Sequence, residues 1–123
     1  MLHVLVVDDS PTVQHVVSKL LQRYGFRTTS AMTAEDGIAV AREHRPDLVL
    51  MDVVFPGMSG FQATRRITRD PATSRIPVIL MSVRDGDSDR AWGLRQGAKD
   101  YLVKPFEARE LLTTVRRNLA REA

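Results

Sequence analysis

The sequence predicts an α/β protein in which a parallel sheet is covered by helices on both faces. Short apolar segments alternate with longer amphipathic segments five times along the 123 residues. The apolar segments lack the polar alternation of a half-exposed strand, which is typical of strands buried on both faces. Residues favoured at helix starts and in turns separate the segments. The length suits one compact unit, and we expect a single domain over residues 1–123.

The first strand–helix unit has the clearest signals. Residues 2–7 form an apolar run that predicts the first strand. Ser10 followed by Pro11 is typical of a helix N-cap and the first helical position, and Gly25 is typical of a helix end. Apolar residues at helical spacing lie between these signals: Val13, Val16, Val17, Leu20, Leu21 and Tyr24.

The other four units follow in the same order. Residues 27–31 predict a weaker strand, and a capping box opened by Thr33 predicts a helix to about residue 44. The later strands are predicted at residues 47–51, 77–81 and 99–103. The later helices are predicted at residues 61–69, after the polar loop 84–87 to about residue 96, and at 107–121.

Composition argues against several classes of protein. The sequence has neither an apolar stretch of roughly 18 residues nor the pattern of a signal peptide, so we expect no membrane insertion. It has no cysteine, which excludes disulfides and thiolate metal sites and fits a cytoplasmic protein. The formal net charge is only +3, and arginine clusters such as Arg65, Arg66 and Arg69 lie on polar faces of predicted helices. We therefore do not expect nucleic-acid binding.

Polar residues of complementary chemistry come at the ends of four predicted strands. Asp8 and Asp9 follow the first strand, and Asp52 comes at the end of the third. Ser82 comes at the end of the fourth strand, and Lys104 follows the fifth. The carboxyl ends of parallel strands meet at one edge of the sheet, where such folds bind ligands. We therefore expect these five side chains to lie close together.

This grouping suits phosphoryl transfer. Neighbouring carboxylates repel unless a cation lies between them, and a site with only oxygen ligands suits Mg²⁺. A carboxylate can also act as a nucleophile toward phosphorus. Asp52 is the predicted nucleophile because it stands alone, whereas Asp8 and Asp9 form the pair that would hold the metal. Lys104 and Ser82 would then neutralise or hydrogen-bond the phosphoryl oxygens.

The segments VDDS, LMDVVFPGMSG, ILMS and YLVKPF together resemble the receiver domain of bacterial two-component response regulators, the CheY-like family. The resemblance covers the whole chain and implies a flavodoxin-like (βα)5 fold with strand order 2-1-3-4-5. It implies that Asp52 is the phosphoacceptor. It also implies that Asp9, Asp52 and the main-chain carbonyl of Val54 bind Mg²⁺, with Asp8 binding directly or through water.

The same resemblance implies a conformational switch and two kinds of protein partner. Ser82 and Lys104 would contact the phosphoryl group, and a cis peptide would join Lys104 to Pro105. The Ser82 hydroxyl would move inward on phosphorylation, and Tyr101 would follow into the space that it leaves. This movement would change the surface formed by the fourth helix, fifth strand and fifth helix. A histidine kinase or its phosphotransfer domain would donate the phosphoryl group, and a downstream effector protein would bind the changed surface.

A narrower resemblance concerns the pathway. Residues 60–79 and 92–102 resemble single-domain regulators of the chemosensory systems that control type IV pili and twitching motility. The sequence ends at Ala123 with no DNA-binding segment, so we expect a stand-alone messenger. A receiver cut from a longer transcriptional regulator is the first alternative.

Two further alternatives belong to other functional classes. One is a Mg²⁺-dependent phosphatase of the haloacid dehalogenase type with an aspartate nucleophile. After the first strand, such enzymes carry two acidic residues separated by one other residue. This chain has Asp8 and Ser10 at the two corresponding positions. The other is a receiver that binds partners without being phosphorylated. We expect no enzyme activity beyond the chain's own phosphoryl transfer and dephosphorylation.

Overall fold

The computed structural model of the chain describes the main chain of residues 1–121 and the side chains of residues 1–119. The predicted end of the domain at Ala123 lies outside these residues. Strands and helices alternate throughout the described chain, as the sequence predicts. The elements are β1 (His3–Val7), α1 (Pro11–Arg23), β2 (Arg27–Ala31), α2 (Ala34–His44), β3 (Leu48–Asp52), α3 (Gly60–Arg69), β4 (Val78–Ser82), α4 (Asp87–Arg95), β5 (Asp100–Val103) and α5 (Ala108–Arg121).

The five strands form one parallel sheet in the order β2-β1-β3-β4-β5, which confirms the predicted order. Asp52, the last residue of β3, lies opposite Met81 of β4. Ser82, the last residue of β4, lies opposite Val103 of β5. The carboxyl ends of these strands therefore lie at one edge of the sheet.

Both faces of the sheet are covered at its inner strands, which explains why β1, β3 and β4 are almost continuously apolar, whereas the edge strand β2 is mostly polar. Leu5 and Val7 face a core shared with α2 and α3. Val4 and Val6 face a second core shared with α1 and α5. Successive side chains of a strand point to opposite faces, so the four positions of β1 from Val4 to Val7 all need an apolar residue.

Six elements (β1, β3, β4, β5, α3 and α5) begin one residue away from the predicted position, and hydrogen bonding explains two of these differences. β4 begins at Val78 rather than Pro77, because proline has no N–H to donate to the ladder. α3 begins at Gly60 rather than at residue 61, because Ser59 and Gln62 form a capping box around its start.

The apolar stripe predicted for α1 is only partly buried. Val17 and Leu21 are buried, but Val16 is 59% exposed and Tyr24 is 50% exposed. The third buried position of this face is Gln14, a polar residue. The helix contacts the sheet along a strip narrower than the apolar pattern, and Val16 and Tyr24 lie outside that strip.

The arginine cluster of α3 lies at the surface. Arg65, Arg66 and Arg69 are exposed and line a groove together with Arg42 of α2. None of the helices in the described part of the chain has both the length and the apolar character needed to cross a membrane.

Candidate phosphoacceptor site

The predicted acidic residues come together at the carboxyl edge of the sheet. Asp8 directly follows β1 and is buried, whereas Asp9 is exposed. Asp52 at the end of β3 is 8% exposed. One carboxylate oxygen from each of the three residues lies within 4.8 Å of the others. The fold therefore forms a cluster of three carboxylates that opens to solvent on the Asp9 side.

Lys104 joins two of these carboxylates. Its Nζ donates to Asp8 Oδ2 at 2.7 Å and to Asp52 Oδ1 at 3.1 Å. The peptide between Lys104 and Pro105 is cis, as the resemblance implied. This ion-pair triad brings together residues from the ends of β1, β3 and β5.

The electrostatics of the triad reflect a cation that two acids share. Burial, followed by the neighbouring Asp8 carboxylate, raises the pKa of Asp52 despite its contact with Lys104. Burial alone would lower the pKa of Lys104, but the hydrogen bond to Asp8 and the charge of Asp52 outweigh it and raise the pKa. The lysine is thus held protonated between two acids. It neutralises the negative charge of Asp52 only in part, because it shares its own charge with Asp8.

Hydrogen bonds in the loop after β1 explain why Asp8 is buried and Asp9 is exposed. The main-chain N–H of Asp8 donates to the carbonyl of Ala31 at 3.1 Å, which extends the contact between β1 and β2 by one residue. Asp8 Oδ1 accepts the main-chain N–H of Ser10 at 2.9 Å. Ser10 in turn caps α1 by accepting the N–H of Val13 at 3.2 Å. The N–H and the carboxylate of Asp8 are therefore both hydrogen-bonded, and its side chain points into the site. Asp9 is the first residue after β1 that faces solvent.

Ser82 lies beside Asp52 at the carboxyl edge and is connected to Tyr101 through one residue. Ser82 Oγ accepts the main-chain N–H of Arg84 at 3.0 Å. The carbonyl of the same Arg84 accepts the Tyr101 hydroxyl at 2.9 Å. Tyr101 is buried, and the Arg90 guanidinium lies 5.2 Å from the centre of its ring. The two predicted switch residues are therefore linked by two hydrogen bonds through the main chain of Arg84.

The loop after β3 contains Val54, whose side chain is 59% exposed. The role of its carbonyl as a metal ligand stays a prediction. Gly60 allows the start of α3 to pass close to this loop, and its N–H donates to the carbonyl of Val53 at 2.8 Å. A Cβ atom on Gly60 would lie 2.8 Å from the carbonyl carbon of Asp52. Glycine is therefore required where the main chain of Asp52 meets α3.

The chemistry of the donors fits a hard divalent cation. The cluster offers only carboxylate oxygens, which Mg²⁺ prefers, and its exposed side allows bound water to remain. Lys104 already neutralises part of the charge on Asp8 and Asp52, so a metal ion and the lysine would divide the three carboxylates between them.

Sequence reasoning missed Gln14 and the main-chain role of Arg84. Gln14 donates to the carbonyl of Asp8 from the buried face of α1, and a polar residue in the middle of an apolar stripe was the available signal. Arg84 connects Ser82 to Tyr101 through its main chain, which no side-chain pattern could indicate.

The chain belongs to the response regulator receiver domain family, whose profile matches residues 4–116. Receiver domains are signalling domains of two-component systems rather than classical enzymes. They bind Mg²⁺ at an acidic site and interact with histidine kinases and effectors.

Two relatives illustrate the range of the family. Protein PilH of Pseudomonas aeruginosa is 48% identical over 120 residues, which cover 98% of this chain and 99% of that protein. Transcriptional regulatory protein AfsQ1 of Streptomyces coelicolor is 40% identical over 117 residues. That match covers 95% of this chain but only 51% of AfsQ1.

Solved structures share the fold over nearly the whole chain. The chemotaxis protein CheY4 of Vibrio cholerae superposes with a TM-score of 0.90 at 31% identity, covering 95% of this chain and 98% of that one. The receiver domain of the sensor histidine kinase PA1611 of P. aeruginosa superposes with a TM-score of 0.89 at 32% identity. It covers 97% of this chain and 98% of its own, and its structure has a magnesium ion coordinated in the active-site cleft.

Proposed function

We propose that this chain is a phosphoacceptor that takes a phosphoryl group from a phosphohistidine onto Asp52. An oxygen of the Asp52 carboxylate attacks phosphorus, the phosphorus–nitrogen bond to histidine breaks, and an aspartyl phosphate forms. Water later cleaves this acyl phosphate, releasing inorganic phosphate and restoring the carboxylate. The observation that carries the proposal is the convergence of Asp52, Asp8 and Lys104 at the ends of three strands.

Each side chain of the site has a part in this reaction. Lys104, now paired with Asp8 and Asp52, would neutralise charge on the phosphoryl oxygens. Ser82 uses its oxygen to accept from Arg84, so its hydroxyl proton is left to donate to a phosphoryl oxygen. Asp8, Asp9, Asp52 and the carbonyl of Val54 would hold Mg²⁺, which would supply further positive charge to the transferred group.

The hydrogen-bonded chain from Ser82 to Tyr101 supports a switch. If the Ser82 side chain turns toward a phosphoryl group, it loses its bond to the Arg84 main chain, and Arg84 also accepts the Tyr101 hydroxyl. The position of Tyr101 then responds to the state of the site. The output is a change of the surface formed by α4, β5 and α5, which an effector protein reads.

We further propose that the protein acts in the cytoplasm in a chemosensory system for type IV pili. The resemblance of residues 60–79 and 92–102 to regulators of that kind supports a role in such a system. The identity to PilH, which extends over nearly the full length of both chains, supports it as well. A histidine kinase or its phosphotransfer domain is the proposed donor.

The match to AfsQ1 favours a second candidate, the receiver part of a longer transcriptional regulator. This chain spans about half of that protein. Mass spectrometry of the native protein, isolated from its own cells with an antibody, separates the two candidates. A mass equal to that of this chain supports the stand-alone messenger, and a larger mass with additional peptides supports the longer regulator.

The phosphoacceptor chemistry is tested by intact mass after incubation with acetyl phosphate, with and without Mg²⁺. We expect wild type to gain one phosphoryl group only with Mg²⁺, Asp52→Asn to gain none, and the control Asp36→Asn to behave as wild type. Asp36 is an exposed aspartate on α2. No gain by wild type, together with no binding of beryllofluoride, would overturn the proposal. Steady turnover of a generic phosphate ester would support the phosphatase alternative instead.

A further inference from the structure

Gln14 is the one polar residue among the buried positions of α1. It lies on the buried face of α1 with Val17 and Leu21 and is 7% exposed. Its Nε2 lies within hydrogen-bonding distance of three main-chain carbonyls, those of Val6 at 2.9 Å, Asp8 at 3.0 Å and Ala31 at 2.9 Å, which share its two hydrogens. Val6 lies in β1, Ala31 ends β2, and Asp8 belongs to the acidic cluster.

The orientation of this amide follows from its surroundings. Three carbonyl oxygens converge on one atom, so that atom must be the donor nitrogen, because an oxygen there would be repelled by all three. The other amide atom, Oε1, is buried and has no hydrogen-bond partner in the described part of the chain. Burying an unpaired acceptor is unfavourable, and leucine or methionine would avoid it, but either would take this donor away from the Asp8 carbonyl. Packing of α1 against the sheet therefore does not explain a glutamine at this position.

The bond to Asp8 completes the restraint of that residue. The Asp8 N–H is bonded to Ala31, and its carboxylate is bonded to Ser10 and Lys104. The Gln14 amide fixes the remaining polar group, the carbonyl of the peptide that joins Asp8 to Asp9. In the described residues no hydrogen bond to the Asp9 side chain is found, so the direction of Asp9 depends on that peptide.

We propose that Gln14 is a positioning residue for the metal pair of the acidic cluster. By fixing the plane of the Asp8–Asp9 peptide, it holds the Asp9 carboxylate near those of Asp8 and Asp52 before a metal ion binds. The loop is then ordered when the protein folds, so Mg²⁺ binding does not have to supply the free energy of ordering it. This inference rests on the proposed function, in which these carboxylates bind Mg²⁺.

The test compares Mg²⁺ affinity in matched variants by isothermal titration calorimetry. Gln14→Met and Gln14→Leu remove the donor while keeping similar volume. The control is Gln22→Met on the same helix, where the glutamine amide bonds, within the described residues, only to the Thr28 hydroxyl at the surface. Loss of an outer-shell partner typically weakens metal binding by about 10-fold or more. We expect a weakening of that size for both Gln14 variants and wild-type affinity for the control.

A second measurement needs no metal. Hydrogen exchange of the Asp8 amide reports on its bond to Ala31, a carbonyl that Gln14 shares. We expect faster exchange in the Gln14 variants and unchanged exchange in Gln22→Met. Wild-type Mg²⁺ affinity in a folded Gln14 variant would overturn the inference, as would loss of the fold in both variants. Failure of wild type to bind Mg²⁺ would overturn the proposed metal site itself.

Discussion

Replacement of Lys104 by methionine tests the ion-pair triad most directly. The substitution keeps an unbranched side chain but leaves Asp8 and Asp52 without their shared cation. The Asp8 side chain is 1% exposed, the Asp52 side chain 12% and the Lys104 side chain 18%. Asp8 would keep its bond from the Ser10 N–H, but two buried carboxylates would lie close together without compensation.

The expected loss of stability follows from this burial. Removing one partner of a buried ion pair typically costs 3–5 kcal/mol, because a charge remains buried without compensation. Lys104 is partly reached by water, so we take the low end, about 3 kcal/mol. For a chain of this length that corresponds to a fall in Tm of roughly 12 °C. The affinity for Mg²⁺ should rise, because Lys104 competes with Mg²⁺ for the same carboxylates.

The assay is urea denaturation followed by circular dichroism at pH 7, without and with saturating Mg²⁺. Lys99→Met is the matched control, since Lys99 is an exposed lysine just before β5. We expect Lys104→Met to lose stability without metal, to recover most of it with Mg²⁺, and to bind the ion more tightly than wild type. A loss below about 1 kcal/mol, similar to that of an exposed lysine, would refute the reasoning.

Three further predictions concern the surroundings of the site and the core. Gly60→Ala should destabilise the protein by about 3 kcal/mol in urea denaturation, because its Cβ would meet main-chain atoms of Asp52 and Val53. Gly86→Ala, which would meet only the end of the Asp89 side chain, should have a much smaller effect. Tyr101→Phe should cost about 1 kcal/mol through the lost bond to Arg84, whereas Tyr24→Phe at the surface should be neutral; equal losses would contradict this. Burial, aided by the charges of Arg27 and His44 and opposed by Asp47, lowers the pKa of His3 from its ordinary value of 6.5. Its neutral ring therefore contributes stability above pH 6.5 that is lost as the pH falls through the lowered pKa. The stability difference between wild type and His3→Leu should shrink over that range, and a pH-independent difference would show that His3 does not titrate.

The pattern of the sequence was sufficient for the architecture. Strands that are mostly apolar and alternate with amphipathic helices leave few arrangements other than a parallel sheet with helices on both faces. The strand order came from the resemblance rather than from the pattern, and the sheet confirms it. The acidic cluster was also predictable, because Asp8, Asp9 and Asp52 come at strand ends that must share an edge.

The spacing of apolar residues was least informative for α1, where burial depends on how wide the contact between the helix and the sheet is. Val16 and Tyr24 continue the apolar spacing of α1, yet they lie outside the strip that touches the sheet. Gln14 lies inside that strip because its amide finds three carbonyl oxygens there. Neither result follows from helical spacing alone, since both depend on where β1 and β2 end relative to α1.

The sequence by itself thus determined the order of the elements, the types of residue at the carboxyl edge and the chemistry that those residues suit. Only the tertiary structure decided that Lys104 is shared by Asp8 and Asp52, that Asp9 faces solvent, and that Ser82 is bonded through Arg84 to Tyr101. The reason is physical. Residue type limits which interactions a side chain can make, but distances between residues far apart in the chain depend on how the packed sheet and helices place their main chains.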